Sequence, residues 1–271
     1  MMTFGILLIA SKGLLNRYRM KSMKLGACLF FVICLCVQRV SAQEFSGING
    51  MMNTPTAETD SAGTFRGGFY FINSHATPDV MTCDDEKFNT GAYYIGLTPW
   101  PWIEASLGFT LLKFHKNKNP EEPVGYYNQD RRVNIKLRPL KEGRWWPAVA
   151  VGVEDLEQCF EKLLKHHGST KFHNYYGVAS KHLELKGNEL AAHLGYRYYV
   201  SDRNANRRGV FGGLAFRPRF YRNLRVMAEW DGDCVNVGAD VLLWRHLFIQ
   251  AGLTNGKYFM GGVSYHYTIK F

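Results

Sequence analysis

The last thirteen residues, Phe259-Met-Gly-Gly-Val-Ser-Tyr-His-Tyr-Thr-Ile-Lys-Phe271, alternate between two kinds of side chain. The odd-numbered positions are aromatic, aliphatic or glycine, whereas the even-numbered positions from Gly262 onward are small or polar. A period of two is that of an extended strand whose two faces meet different surroundings. The end of the chain therefore predicts a β-strand with one apolar face and one polar face.

The same alternation recurs through most of the chain. Clear runs cover 103–111, 132–138, 147–154, 190–199, 224–230, 235–243 and 247–254, and weaker runs lie near 64–72, 90–97, 173–183 and 209–216. Together with the last run they indicate about twelve strands, and an even number of antiparallel strands of about ten residues is expected of an outer-membrane barrel. The predicted fold is all-β: an antiparallel transmembrane β-barrel over residues 63–271.

The spacing between the runs supports this prediction. The early connections alternate between long (74–89, 115–129, 155–171) and short (98–101, 139–144, 184–188), and tight hairpins follow at 231–233 and 254–257. Outer-membrane barrels have short periplasmic turns and longer outer loops. An even number of strands then places both chain termini in the periplasm, and the tight hairpins on the outer side.

A soluble β-sandwich is the competing fold, because its strands also alternate. Aromatic residues near the predicted strand ends favour the barrel, since barrels in lipid carry aromatic girdles at both interfaces. All six tryptophans have such positions: Trp100, Trp102, Trp145, Trp146, Trp230 and Trp244. The terminal Tyr267, Ile269 and Phe271 also resemble the signal that the barrel insertion machinery reads.

Residues 1–42 have the features of a secretory leader. A 13-residue apolar run, 25–37, follows two lysines, and small residues precede a predicted cleavage between Ala42 and Gln43. Met20 and Met23 lie just before this run, so one of them is expected to be the true start. The chain then divides into a leader (1–42), a periplasmic lead-in without strands (43–62) and the barrel (63–271).

The leader also explains much of the formal charge of +10, because it holds six basic residues and no acidic one. The rest of the chain carries 27 basic and 23 acidic residues, which gives no reason to expect a nucleic-acid partner. Three cysteines remain after the leader, and export permits a disulfide between Cys83 and Cys159 in the outer loops. Cys234 is the third.

The polar faces of the predicted strands carry charges of both signs. The candidates for the barrel interior are Arg66, Glu104, Arg132, Lys136, Glu154, His193, Arg197, Arg225, Glu229, Asp240, His266 and Lys270. Two interpretations stay open: a salt-bridged, hydrated interior that satisfies buried charge, or a path for a polar polymer or solute. Twelve strands give a lumen wider than that of a packed eight-strand barrel and narrower than that of a 16-strand porin.

Residues 155–167 interrupt the alternation with apolar residues at helical spacing, and Asp155 could cap the start of a short helix in an outer loop. Such a helix could cover the barrel mouth or dock a partner. His166, His167 and His173 lack the acidic or cysteine partners expected of a metal site, so no metal or other cofactor is predicted. The absence of Gly-x-Ser-x-Gly and of a suggestive Ser/His spacing argues against a hydrolase.

The opening of the predicted mature chain, Gly47-Ile-Asn-Gly-Met-Met-Asn-Thr-Pro-Thr-Ala57 followed by Gly63-Thr-Phe-Arg-Gly-Gly68, resembles the opening motif of the YjbH-like exopolysaccharide-associated outer-membrane β-barrel family. Its most distinctive positions are Gly47, Gly50, Pro55, Thr56, Ala57 and Gly63. Further similar segments follow in order at 100–108, 130–139, 147–155, 175–181, 228–232 and 236–238. The chain resembles a single-barrel member of a family whose better-known members are longer.

The resemblance implies a non-catalytic outer-membrane barrel that assists secretion or assembly of exopolysaccharide or capsule in a Gram-negative bacterium. Its expected partners are outer-membrane lipid, the barrel insertion machinery, polysaccharide and periplasmic export proteins. A general solute channel or a purely structural barrel is the first alternative function. An outer-membrane lipid acyl hydrolase is the second.

Overall fold

The computed structural model describes residues 44–77, 86–156 and 172–269. The leader, its cleavage site, Cys83, Cys159, His166, His167, Lys270 and Phe271 lie outside these ranges, so the predictions that concern them stay predictions. In the described ranges, no helix has the length and apolar character needed to cross a membrane.

Twelve antiparallel strands pair in chain order, and the last pairs with the first to close a barrel. This confirms the predicted fold and strand number. The strands are β1 (Thr64–Ile72), β2 (Thr90–Trp100), β3 (Ile103–His115), β4 (Val124–Leu140), β5 (Ala148–Glu154), β6 (Asn174–Leu185), β7 (Asn188–Tyr199), β8 (Gly209–Arg217), β9 (Leu224–Trp230), β10 (Val235–Leu243), β11 (Leu247–Thr254) and β12 (Tyr258–Thr268). Short 3-10 helices span Ser74–Ala76, Lys116–Lys118 and Asp202–Arg207.

The two ends of the barrel differ in the length of their connections. One end, the short-turn end, joins β2 to β3, β4 to β5, β6 to β7, β8 to β9 and β10 to β11, and it also holds the start of β1 and the end of β12. The opposite end, the long-loop end, has the long connections after β1 and β5. The tight hairpins after β9 and β11 lie at the long-loop end, on the side that the alternation predicted.

The outer surface of the barrel is apolar, and its strands alternate between exposed and buried side chains. Tyr265, Leu194 and Val210 are 53%, 64% and 57% exposed, whereas their chain neighbours Ser264, His193 and Phe211 are at most 4% exposed. Five tryptophans cluster at the short-turn end, and Trp230 lies at the long-loop end. An apolar band of this extent would be a liability in water and is the surface that a lipid bilayer requires.

One predicted loop is wrong in its extent. Residues 115–129 were expected to form a long loop, but β3 and β4 continue to His115 and from Val124, which leaves an eight-residue hairpin. The alternation fails to show this extension because the pairing shifts register at a bulge between Leu112 and Lys113. A bulge places two residues of one strand opposite one residue of its partner and so disturbs the period of two.

The predicted helix over 155–167 lies mostly outside the described residues. Asp155 itself has a left-handed backbone with φ of 57°, and its carboxylate accepts a hydrogen bond from the Phe172 amide at 3.3 Å. The carboxylate thus connects the two described ends of this connection.

The outward position of Leu194 gives a test of the membrane-facing surface. Leu194 lies in the middle of β7, whereas Leu185 lies at the end of β6, next to a turn. In a bilayer, Leu194→Arg should lower the free energy of unfolding by about 2–4 kcal/mol and Leu185→Arg by about 0–1 kcal/mol, because the cost of a charge depends on its depth. Urea titration of protein folded into lipid vesicles measures both, and equal small losses would contradict a lipid-facing β7.

Candidate functional site

The interior of the barrel holds the chain's own preceding segment, residues 44–62, here called the luminal segment. Phe45, Ile48, Met51 and Met52 of this segment are at most 5% exposed. The segment begins near Arg197, toward the long-loop end, and ends at the short-turn end where β1 starts. The sequence predicts a periplasmic lead-in without strands over 43–62. The described part of this lead-in, residues 44–62, runs through the interior of the barrel, where its residues fit among the inward side chains.

The luminal segment folds back on itself within the barrel. Gly50 and Pro55 form an antiparallel bridge, and the Met51 amide donates to the Thr54 carbonyl at 2.8 Å. Gly50 has no room for a side chain, because a Cβ atom would lie 2.5 Å from the Thr54 carbonyl oxygen. At Gly47, φ is +83° and a Cβ atom would lie 2.8 Å from the Tyr94 ring. Because these two glycines of the opening motif have no side chain, the segment can lie against its own Thr54 carbonyl and against the Tyr94 ring.

Lys136 of β4 and Glu104 of β3 form the centre of the contact between barrel and segment. Their charged groups are 2.7 Å apart, and neither side chain is exposed. The Lys136 ammonium also donates to the carbonyls of Asn49, Thr56 and Glu58 at 2.9, 3.2 and 2.6 Å. It therefore contacts both arms of the folded segment.

Glu104 accepts hydrogen bonds from the other polar groups around this lysine. Its donors are the side-chain and backbone amides of Asn49 and the backbone amide of Asp60, the backbone groups at 3.3 and 3.1 Å. Arg66 of β1 lies 3.5 Å from the Glu104 carboxylate and 2.9 Å from that of Asp60. A buried carboxylate with this many partners has its charge compensated without water.

A second carboxylate holds the turn of the segment. Glu229 of β9 accepts from the backbone amides of Met52 and Asn53 at 3.2 and 2.7 Å and from the Thr54 hydroxyl at 2.7 Å. The side chain of Asn236 also donates to it, at 3.2 Å. Glu229 thus satisfies the backbone donors that the turn leaves unpaired.

Three arginines, Arg225, Arg197 and Arg132, donate hydrogen bonds to carbonyls of the segment. Arg225 donates to the Gly50 carbonyl at 3.0 Å while pairing with Asp240 at 2.9 Å. Arg197 donates to the Asn53 carbonyl at 3.3 Å and pairs with Glu44 at 3.3 Å.

Arg132 combines a polar contact with two aromatic ones. Its guanidinium donates to the Phe45 carbonyl at 3.5 Å and lies 4.6 Å from the ring centroids of both Phe45 and Phe172. These rings belong to an apolar cluster that includes Tyr70, Leu112 and Met260. The first residues of the segment are therefore anchored by apolar burial as well as by charge.

Uncharged inward residues also bind the segment, and we did not single them out from the sequence. Ser106 and Asn134 donate to the Ser46 carbonyl at 2.8 and 3.1 Å, and Gln250 donates to the Met51 carbonyl at 3.0 Å. The Ser180 hydroxyl accepts from the Ala57 amide at 2.8 Å. Their positions on the polar faces of the strands would have indicated an inward direction, but the predicted interior residues were limited to charged side chains and histidines.

Glycines on two neighbouring strands make room for Met52. Gly238 of β10 and Gly252 of β11 are paired in register, and a Cβ atom on either would lie 2.5 or 2.3 Å from the Met52 sulfur. The alternation in these strands places both positions on the inward face. Any larger residue at either position would displace the methionine from its site.

The end of the segment is held by a histidine between two carboxylates. The His182 ring of β6 lies 2.7 Å from Glu58 and 2.6 Å from Glu142 of the β4–β5 turn. Burial alone favours the neutral acid at Glu58, but the hydrogen bond from His182 and the nearby charge of Arg225 hold the pKa of Glu58 well below its usual range. Glu58 is therefore ionised at neutral pH and connects the segment to the short-turn end.

The remaining interior candidates are buried but make their hydrogen bonds to other barrel residues. Glu154 accepts from Asn174 at 2.6 Å, His193 contacts Ser180 at 2.8 Å, and His266 contacts Ser264 at 2.9 Å. Of the predicted interior residues in the described ranges, Arg66, Glu104, Arg132, Lys136, Arg197, Arg225 and Glu229 contact the luminal segment directly.

The described residues contain no group of three or more histidine, cysteine or acidic side chains placed to hold a metal ion. His173, a candidate by sequence, uses both ring nitrogens on neighbours: the Asp155 carbonyl at 2.9 Å and the Tyr175 hydroxyl at 3.0 Å. Cys234 is a free thiol whose pKa burial raises to about 11. Neither residue has the surroundings of a reactive or metal-binding group.

Two buried serine–histidine contacts invite comparison with a hydrolase. Ser180 and Ser264 each lie within 2.9 Å of a histidine ring nitrogen, but both serines are at most 2% exposed and face the interior. The Ser180 hydroxyl is also occupied by the amide of Ala57. A hydrolase acting on lipid needs a serine that an ester can reach, so these contacts do not form such a site.

The fold and its interior define an outer-membrane type of β-barrel that binds its own preceding segment through inward side chains. The family model YjbH, described as exopolysaccharide biosynthesis protein YbjH, matches residues 42–206. The chain belongs to this family. The matched region begins just before the luminal segment and extends through β7.

A protein named uncharacterized lipoprotein YjbH from Escherichia coli K12 is 26% identical over 117 residues. The match covers 43% of this chain and only 14% of that protein, so the chain corresponds to a small part of this longer relative. Among solved structures, the outer membrane phospholipase dimer of Salmonella typhi with bound calcium is similar at 10% identity and a TM-score of 0.36, over 76% of this chain and 91% of that one. The β domain of the Bordetella autotransporter BrkA gives 13% identity and a TM-score of 0.35, over 78% and 100%.

Removing the charge of Glu104 tests how the segment is held. Glu104→Gln keeps the shape of the side chain but leaves Lys136 and Arg66 without their shared carboxylate, and breaking a buried pair in this way costs about 3–5 kcal/mol. Hydrogen–deuterium exchange in vesicles should show faster exchange in residues 44–62 while the strands stay protected. The matched control is Glu121→Gln in the exposed β3–β4 hairpin. Equal protection in both variants would contradict the role of Glu104.

The contact between His182 and Glu58 should depend on pH. Because the pKa of Glu58 is lower in the folded than in the unfolded chain, its stabilising effect is complete above the usual glutamate pKa of about 4.3 and is lost as the pH falls through the lowered value. His182→Gln should therefore lower the free energy of unfolding by about 2 kcal/mol at pH 7, and by less under acid conditions.

Urea titrations of both proteins across this pH range measure the difference. His115→Gln removes a histidine that contacts Glu86 at 3.1 Å at the long-loop end, and it serves as the control. A difference that stays constant down to the acid limit would show that Glu58 and His182 are not coupled.

Proposed function

We propose that this protein is a non-catalytic outer-membrane β-barrel that assists secretion or assembly of exopolysaccharide or capsule. The observation that carries the proposal is that the family's opening motif lies inside the barrel and is bound there by inward charges. The proposal takes exopolysaccharide as the polymer because the family is described by exopolysaccharide biosynthesis. The barrel contributes a membrane-embedded body that holds a polar peptide segment in its interior.

The orientation proposed for this barrel follows from its connections. Short turns in outer-membrane barrels lie in the periplasm, and longer loops lie outside. The short-turn end would then face periplasmic export proteins and the long-loop end the cell surface. The start of β1 and the end of β12 lie at the short-turn end, where partners in the periplasm would reach them. Exposed Tyr267 and Ile269 suit recognition by the insertion machinery during assembly.

A general solute channel is the main alternative. The luminal segment argues against free diffusion, because its residues 46, 48, 49, 51 and 52 are fully buried among barrel side chains. A barrel filled in this way needs a rearrangement before it could conduct solutes. An acyl hydrolase is less well supported still, since the two buried serine–histidine contacts face away from lipid.

Deletion of the gene is the direct test of the proposed role. Surface and secreted polysaccharide should fall in the deletion strain and return when the wild-type gene is restored. The Glu121→Gln variant should restore the polymer fully, whereas Glu104→Gln should restore it only in part if the bound segment matters. Heat-modifiable migration of outer-membrane fractions verifies that each barrel is assembled. Unchanged polymer in the deletion strain would contradict the proposal.

Conductance in planar bilayers distinguishes the channel alternative. The wild-type protein should show little steady conductance, because the luminal segment fills its interior. The Glu104→Gln variant should open more often than the Glu121→Gln control. A large, steady conductance of the wild-type protein would favour the general channel instead.

A further inference from the structure

A polar cavity of about 510 Å³ lies at the short-turn end, outside the contacts that hold most of the luminal segment. Its positively charged lining residues are Arg138, Lys141, Arg144, Lys181 and Arg217. Its acidic ones are Glu58, Glu142 and Glu189. We propose that this cavity, here called the mouth pocket, binds acidic saccharide units, with a uronic acid carboxylate contacting its basic side. The proposal rests on the proposed function and deepens it by naming the class of polymer.

The size and chemistry of the mouth pocket suit a short saccharide. Binding cavities for small ligands typically have volumes of about 300–1,000 Å³. A sugar presents hydroxyl groups that both donate and accept hydrogen bonds, and the pocket offers carboxylate acceptors beside ammonium and guanidinium donors. The excess of basic over acidic groups favours a ligand that carries negative charge.

Several basic groups of the pocket are available to a ligand. In the described part of the chain, Lys141 and Arg144 are exposed and form no ion pair, and the Arg144 guanidinium lies 5.0 Å from the Trp145 ring centroid. The Arg138 guanidinium donates to the Pro101 carbonyl at 2.6 Å, which leaves its charge without a carboxylate. Lys181, in contrast, is occupied by Glu142 at 3.0 Å and by the Gly143 carbonyl at 2.6 Å.

The pocket lies at the short-turn end and is lined in part by inward residues of the barrel. Ala57, Ala148 and Glu189 line it, and they are 0%, 4% and 6% exposed on the inward side of the barrel. A lipid headgroup would approach from the outward side, whereas a water-borne saccharide can enter from the mouth. This position favours a soluble or growing polymer as the source of the anionic group.

The pocket also contacts the end of the luminal segment. Glu58 and Thr59 form part of its wall, and Glu58 is the residue held by His182. A saccharide bound there would lie against the segment that fills the barrel. The mouth pocket is thus placed to receive polymer at the entrance of the interior.

Binding is tested with the full-length protein in detergent micelles by isothermal titration calorimetry. The probes are a tetrasaccharide of galacturonic acid, the neutral maltotetraose and inorganic phosphate. We expect the acidic tetrasaccharide to bind, its affinity to fall as salt screens the charges, and the neutral sugar to bind much more weakly.

The Lys141→Gln/Arg144→Gln double variant should weaken binding of the acidic tetrasaccharide about fivefold, as expected for two exposed charge contacts. The Lys116→Gln/Lys257→Gln control removes two exposed charges at the long-loop end and should leave binding unchanged. Circular dichroism checks folding, and Arg144→Gln alone replaces the double variant if that variant does not fold.

Three results would overturn the proposal: binding unaffected by the pocket variant, equal binding of the neutral sugar, or competition by phosphate at equal concentration, which would indicate a general anion site. Negatively charged lipid vesicles that compete with the sugar would assign the pocket to a membrane surface and would also overturn it. Because the assay uses purified protein, its failure leaves the polysaccharide phenotype of the deletion strain as a separate test of the proposed function.

Discussion

The ion pair between Lys136 and Glu104, buried inside the barrel, is the interaction on which the organisation of the interior depends. The two residues are direct neighbours across β3 and β4, so the register of the barrel alone brings them together. A buried pair is stable only when its remaining hydrogen-bonding capacity is also satisfied. The luminal segment supplies that capacity, because its carbonyls accept from Lys136 and its amides donate to Glu104.

The barrel and the luminal segment therefore satisfy each other's polar groups. The barrel has an apolar exterior that suits lipid and an interior whose charges need polar partners. The segment has backbone groups that need partners because it forms only a few hydrogen bonds with itself. Glu229 pairs with amides at the turn, while Arg225 and Arg197 pair with carbonyls, so both kinds of backbone group are satisfied. A hydrophobic filling would leave the remaining hydrogen-bonding capacity of these inward charges unsatisfied, and in an empty lumen water would have to satisfy it.

The architecture was predictable from the sequence because alternation with a period of two is a direct consequence of the strand's geometry. It indicated the strand number, the antiparallel order and most of the strand positions. The extension of β3 and β4 was not predictable, since a bulge at Leu112 breaks the period. The inward position of Lys136 and Glu104 could be inferred from the alternation, but their partners could not, because contacts across 87 and 55 residues of chain depend on the tertiary fold. The same holds for Ser106 and Gln250, because a neutral inward side chain gives no sign in the sequence of the carbonyl to which it donates.

A disulfide cross-link in the native membrane tests most directly whether the segment fills the barrel. The amide of Ala57 lies 2.8 Å from the Ser180 hydroxyl, so cysteines at these two positions are close enough for a bond. In a background with the natural cysteines replaced by serine, Ala57→Cys/Ser180→Cys should cross-link on mild oxidation, and Ala57→Cys/Ser264→Cys on the far side of the barrel should not. Efficient cross-linking of the first pair is expected in outer-membrane fractions. Two free thiols that a water-soluble maleimide labels readily would contradict it.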